Sequence, residues 1–91
     1  MTVSLAKDNM KKLEILRFTA SWCGPCKQLE ANLERANLGI DIKVMDIDEQ
    51  EDVARQYNVR SVPTLVLLKN GEEFKRSVGS KTVNQLKDWV E

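Results

Sequence analysis

The chain has 91 residues, room for one domain around a single modest core. Its 14 Lys+Arg balance 14 Asp+Glu, so a formal net charge of zero argues against a nucleic-acid or membrane-surface partner. The longest strongly apolar stretch, Val62–Leu68, is far too short to span a bilayer.

Taken in chain order, Met1–Lys12 has no apolar signal-peptide region, and neither end carries a lipidation motif. The expectation is a soluble, cytoplasmic protein whose first twelve residues form an edge strand, a partial helix or a loosely held tail. Leu13–Ala20 (LEILRFTA) is mostly apolar and suits a strand, bounded by Ser21. Gly24–Ala36 reads as a helix with Cys26, Leu29, Leu33 and Ala36 on one face, and Asn37 and Gly39 supply its stop signal. Ile40–Ile47 is a second strand, with Ile42 and Val44 on one side and Met45 and Ile47 on the other. Glu49–Tyr57 suits a short helix, with Asp48 as N-cap and Glu51 completing a capping-box pattern.

Thr64–Lys69 (TLVLLK) is a third strand, Asn70-Gly71 a strong hairpin turn, and Glu72–Val78 the returning strand, broken by Gly79. Thr82–Val90 closes the chain as an amphipathic helix with Val83, Leu86, Trp89 and Val90 buried. The order β-α-β-α-β-β-α combines a helical crossover, which implies a parallel pair, with an antiparallel hairpin. A single α/β domain over residues 1–91 follows, with a central mixed β-sheet flanked by helices.

Two cysteines, Cys23 and Cys26, stand three apart where a strand hands over to a helix. A bond between them closes so small a loop that it restricts the unfolded chain very little. Two thiols without a histidine do not fill a tetrahedral zinc site in one chain. Asp46 and Asp48 lack a third ligand, which favours capping and surface charge over metal. The cysteines are most economically read as a redox pair.

At the helix start, unpaired backbone N–H groups and the helix dipole favour an anion at Cys23 by about 0.3–1 kcal/mol, or about 2 if partly buried. Thiolate is the attacking species in disulfide exchange. Gly24 lets the backbone turn closely. Pro25 lacks an N–H that the first turn leaves unpaired anyway. Cys26 lies deeper on the same side, so Cys23 is expected to be the exposed thiol and Cys26 the shielded one.

The segment Trp22–Lys27 (WCGPCK) resembles the active-site segment of the thioredoxin family residue for residue. Val62-Pro63-Thr64 is similar to that family's cis-proline loop, and Lys69-Asn70-Gly71-Glu72 and Val78-Gly79 are similar to its hairpin turn and the glycine beyond it. The resemblance runs over about residues 13–91. It implies a thioredoxin fold with a shortened N-terminal region and a general protein-disulfide reductase. Cys23 is then the nucleophile and Cys26 the resolving thiol, supported by Trp22, Gly24, Pro25 and Arg17. Trp22, Val62, Pro63 and Gly79 line a substrate groove. The implied cofactor is none beyond the redox-active Cys23–Cys26 disulfide, with no metal. The implied partners are thioredoxin reductase or an equivalent reductant and protein disulfides, the chain itself being a monomer.

Three departures stand out. Arg17 occupies the place of a buried acidic residue, six positions before Cys23, and Val44 that of its partner lysine. The helix after Cys26 is about one turn short, with Ala31 in place of a proline. Arg17 is read either as a strand-end residue with its head in water or as a cation acting on the cysteines, with Asp46 on the neighbouring strand as a pairing partner.

Overall fold

The computed structural model describes residues 12–91. The expectations for residues 1–11, including the shortened N-terminal region, lie outside the described residues. The elements are β1 (Leu13–Thr19), α1 (Gly24–Ala36), β2 (Asp41–Asp46), α2 (Glu51–Gln56), β3 (Thr64–Lys69), β4 (Glu72–Val78) and α3 (Val83–Trp89). One sheet of order β2-β1-β3-β4 joins the strands. β1 runs parallel to β2 and antiparallel to β3, and β3 runs antiparallel to β4. The order of elements is the expected one, and most strand and helix ends fall within a residue of expectation.

Strand parity divides the core into two faces. Ile15, Leu65 and Leu67 meet Leu29, Leu33 and Ala36 of α1 and Leu86 of α3. Leu16, Phe18, Val66 and Leu68 point the other way and meet Ala54 of α2. Each fully buried large side chain contributes about 1.5–3 kcal/mol relative to exposure. On the outer strand β2, Ile42 packs on the first face, while Met45 and, just beyond the strand, Ile47 pack on the second. Val44 stays exposed.

The ends of α1 follow from local chemistry. Cys23 is its N-cap with extended backbone, and Pro25 stands in the first turn, where its missing N–H costs nothing. Asn37 ends the helix in the left-handed region at φ 47°, its N–H bonded to the Leu33 carbonyl. At the β3–β4 hairpin, Asn70 and Gly71 both take positive φ, as a two-residue primed turn requires.

Three local features go against or beyond expectation. α2 begins at Glu51, and its N-cap is Gln50 without a side-chain bond, not Asp48. The Asp46 carboxylate accepts the Asp48 N–H at 2.8 Å, and the Asp46 carbonyl accepts from Glu49 and Gln50. This turn uses up the residues that an earlier start would need, and the Asp48 carboxylate is engaged elsewhere. α3 carries a complete capping box instead: the Gln85 N–H donates to Thr82 Oγ1, and the Thr82 N–H donates to Gln85 Oε1. In the third case the β3–β4 register shifts between Leu67 and Leu68, which pair with Lys75 and Glu73. Phe74 is thereby left as the unpaired bulge residue, exposed and flanked by Lys69 and Lys75. Near the bulge, Arg76 donates to both Glu73 carboxylate oxygens and to the Tyr57 carbonyl. The Arg76 hydrogen bond holds the Glu73 carboxyl below its ordinary range.

Candidate active site

β1 ends at Thr19, and a tight turn brings Cys23 to the mouth of α1, with the Cys23 N–H bonded to the Ala20 carbonyl at 3.1 Å. Cys23 and Cys26 are joined in a disulfide, with their Cα atoms 5.4 Å apart. The Cys26 N–H donates to Cys23 Sγ at 3.2 Å. The first sulfur thus takes the place of a capping oxygen at the positive end of the helix.

Exposure does not separate the two cysteines as expected. Cys23 is 4% exposed and Cys26 2%. In the bonded pair both pack with Ala20, and Ile47 and Val62 lie against that cluster. The cap position, held by Cys23 alone, distinguishes them. Gly24 also differs from expectation: it has no positive φ, and a Cβ there would meet nothing within 4 Å. Neither backbone conformation nor internal space requires a glycine.

Of the other residues singled out by the sequence, Trp22 directly precedes the pair and Val62 packs against it. Trp22 is 67% exposed, and its Nε1–H donates to Asp48 Oδ2 at 3.1 Å. It is therefore a surface residue held by a specific bond, and Asp48 is its anchor. The Val62–Pro63 peptide bond is cis. Thr64 Oγ1 donates to the Ser61 carbonyl at 2.7 Å and closes that loop on itself. The Gly79 N–H donates to the Pro63 carbonyl at 2.9 Å, so these two backbone segments are joined. Gly79 has φ 95° with open space where a side chain would stand, and only glycine adopts that conformation without strain. Val78 beside it is exposed and apolar, a position that the sequence pattern alone does not mark.

Arg17 is not a strand-end residue with its head in water. It is 7% exposed. β1 parity sends it to the same face as Ile15, under α1, where Arg17 Nη2 lies 3.8 Å from Glu30 Oε2. Glu30, not Asp46, is its ion-pair partner, because α1 crosses over that face while the Asp46 carboxylate is bonded to its own turn. Arg17, Cys26, Lys27, Glu30 and Asp46 line a cleft of about 190 Å³. Among the described residues, no group of three or more His, Cys, Asp or Glu is placed to hold a metal ion. Among them, too, no helix is long and apolar enough to cross a membrane.

Comparison with known proteins agrees with this geometry. The Thioredoxin family model matches residues 3–91. "Thioredoxin H2" of Arabidopsis thaliana is 43% identical over 74 residues, which cover 77% of this chain and 55% of that protein. "Thioredoxin" of Rickettsia felis is 38% identical over 80 residues, covering 84% of this chain and 76% of that protein. The chain thus spans little more than half of the plant relative's length. Among solved structures, a point-mutant thioredoxin of Halobacterium salinarum superposes with a TM-score of 0.83 at 34% identity, covering all of this chain and 82% of that one. With its four-stranded mixed sheet, its flanking helices and its Cys23–Cys26 disulfide, the chain belongs to the thioredoxin family of thiol–disulfide oxidoreductases.

Proposed function

We propose that the chain is a general protein-disulfide reductase that cycles between the Cys23/Cys26 dithiol and disulfide. The observation that carries this reading is the Cys26 N–H donated to Cys23 Sγ at the cap of α1. The same N–H, with the helix dipole, stabilises a Cys23 thiolate after reduction. That thiolate attacks one sulfur of a substrate disulfide, and the other sulfur leaves as a thiol. Cys26 then attacks Cys23, the mixed disulfide breaks, and the substrate departs with two electrons gained.

No external cofactor is needed, since the cysteine pair holds the electrons. Trp22, Val62, Pro63 and Gly79 receive an extended stretch of substrate around the disulfide, with the exposed Val78 extending the apolar rim. Gly24 adds no side chain beside the sulfurs, and Pro25 fixes the first turn of α1 without needing an N–H partner. Thioredoxin reductase or an equivalent donor regenerates the dithiol. The reading carries with it a monomer working in a reducing compartment, the cytoplasm.

Turnover of insulin disulfides tests it. With NADPH and thioredoxin reductase, catalytic amounts of the chain are expected to reduce insulin continuously. If the chain, reduced beforehand with dithiothreitol, transfers no electrons to insulin, the reading is wrong. Within the same assay, Asp48→Ala releases the Trp22 indole from its anchor. One solvent-exposed hydrogen bond is worth about 0.5 kcal/mol, so KM for insulin is expected to rise about twofold. The rate with a small disulfide, which does not reach Trp22, stays unchanged. An equal loss on both substrates would mean that Asp48 supports the fold rather than the groove.

A further inference from the structure

The cleft beside Cys26 contains charges that the mechanism above leaves unused. Arg17 is buried on β1, yet its ion-pair partner Glu30 stands at 3.8 Å with a side chain 53% exposed. At 3.8 Å and half exposed, Glu30 is a solvent-screened partner that offsets only part of the Arg17 charge, and Glu34 lines the adjoining cleft with both. The other charged groups lining the cleft beside Cys26 are Lys27 on α1 and Asp46 on β2. Asp46 is engaged by the Asp48 N–H. The remaining cleft group able to become an anion is the sulfur of Cys26. The two sulfurs therefore meet different surroundings: Cys23 the start of α1, and Cys26 a cleft in which Lys27 and the buried Arg17 stand opposite Glu30 and Asp46.

We propose that Arg17 is a positioning residue for the resolving step, holding Cys26 as a thiolate, and that Glu30 sets the strength of this hold by neutralising part of the Arg17 charge. The proposal rests on Cys23 being the attacking and Cys26 the resolving thiol. In the mixed disulfide, Cys26 loses its proton to solvent through the open cleft. Its thiolate attacks Cys23 Sγ, the bond from Cys23 to the substrate sulfur breaks, and the substrate leaves as a thiolate that takes up a proton. Two electrons pass from the cysteine pair to the substrate. Arg17 remains charged throughout, so its contribution is its field and not a proton.

The signs of two substitutions separate this from a purely structural ion pair. Arg17→Gln removes the cation, whereas Glu30→Gln removes its partial neutraliser. Both break the same ion pair, so a structural role moves both variants in one direction. An electrostatic role moves them in opposite directions. Lys27 and Asp46 are unchanged in both and supply a constant background.

The experiment is an ultraviolet thiolate titration of Cys26 in the full chain carrying Cys23→Ser, paired, in the chain that keeps Cys23, with the rate of substrate release from a peptide mixed disulfide formed at Cys23. In Arg17→Gln the titration midpoint is expected to rise by about one pH unit, and in Glu30→Gln to fall by less. Arg17→Lys, which keeps the charge, stays near wild type. Measured at a pH a unit or more below the wild-type midpoint, a rise of one pH unit cuts the thiolate fraction about tenfold. It also makes the remaining thiolate about threefold more nucleophilic, so release slows about threefold. Midpoints that move together, or do not move, overturn the proposal. Should Arg17→Gln fail to fold, Glu30→Gln at its half-exposed position still decides: no fall in midpoint overturns it. A midpoint that responds while release does not would instead remove Cys26 from the resolving role, which is a failure of the underlying reading.

Discussion

Cys26→Ser is expected to abolish turnover while leaving the first covalent step intact, so that the variant accumulates mixed disulfides with its substrates. The attack by Cys23 needs only a thiolate at the cap of α1. In this variant the backbone at position 26 still presents the N–H that Cys23 Sγ accepts at 3.2 Å in the native chain. What disappears is the second thiol, and a hydroxyl is far too weakly acidic to replace it at neutral pH. Cys23→Ser should lose both turnover and trapping. On non-reducing gels of protein mixed with cell extract, Cys26→Ser gives bands that dithiothreitol removes, and Cys23→Ser gives none. Bands of equal strength from both variants, or from neither, would reject the two-step assignment. Because Cys23 and Cys26 are about equally buried in the disulfide, exposure alone does not forecast this asymmetry. The asymmetry comes from the cap, where one sulfur receives a backbone donor.

The parts legible in the sequence were those decided by neighbours along the chain. The apolar face of α1 could be read from its period, because Cys26, Leu29, Leu33 and Ala36 lie three or four residues apart and all four are buried. The Asn70-Gly71 turn was legible because positive φ at both positions is a local demand. The Thr82 cap with Gln85 three residues on is an equally local pattern, and it moves the start of α3 from the expected Thr82 to Val83. The cysteine pair with its Gly-Pro spacer stood out for the same reason.

What escaped was set by contacts between distant segments. Asp48 looks like a cap in sequence, yet the indole of Trp22, 26 residues away, claims its carboxylate. Arg17 shows no partner along its own strand. Parity alone says that it faces α1 or α2, and only the packing of α1 over β1 selects Glu30 rather than Asp46. A carboxylate one turn beyond Cys26 on α1 was a signal available in principle. Using it required knowing which sheet face that helix covers. The bulge at Phe74 is a mismatch between two paired strands, which neither strand reveals by itself.

Phe18→Ala is expected to cause the largest loss of stability of any single change on the face of the sheet that packs against α2. The ring is fully buried among Leu16, Ala54, Val66 and Leu68 and meets Tyr57 with centroids 6.0 Å apart. Truncating it removes the burial of an aromatic side chain and leaves a cavity that the strand backbone resists closing, for a cost of about 3–5 kcal/mol. At about 0.05–0.15 kcal/mol per residue, a chain of this size has roughly 5–14 kcal/mol to lose, so the variant is left marginal. For a domain of this size each kcal/mol moves Tm by about 4–8 °C, and thermal unfolding followed by circular dichroism should show a drop of more than about 10 °C. Phe18→Leu keeps most of the volume and should cost about 1 kcal/mol. Parity makes the result informative about function as well. Phe18 alternates with Arg17 along β1 and points to α2, away from the Arg17 cleft, and reaches the cysteine cluster indirectly, through the partly buried Ile47 and Val62. Well below its Tm, Phe18→Ala should therefore still form the Cys23–Cys26 disulfide at a potential close to wild type. Two results would count against this placement: a loss under about 1 kcal/mol, meaning that α2 does not seal this face, or a large change in potential in the folded protein, meaning that the two faces are coupled through the sheet.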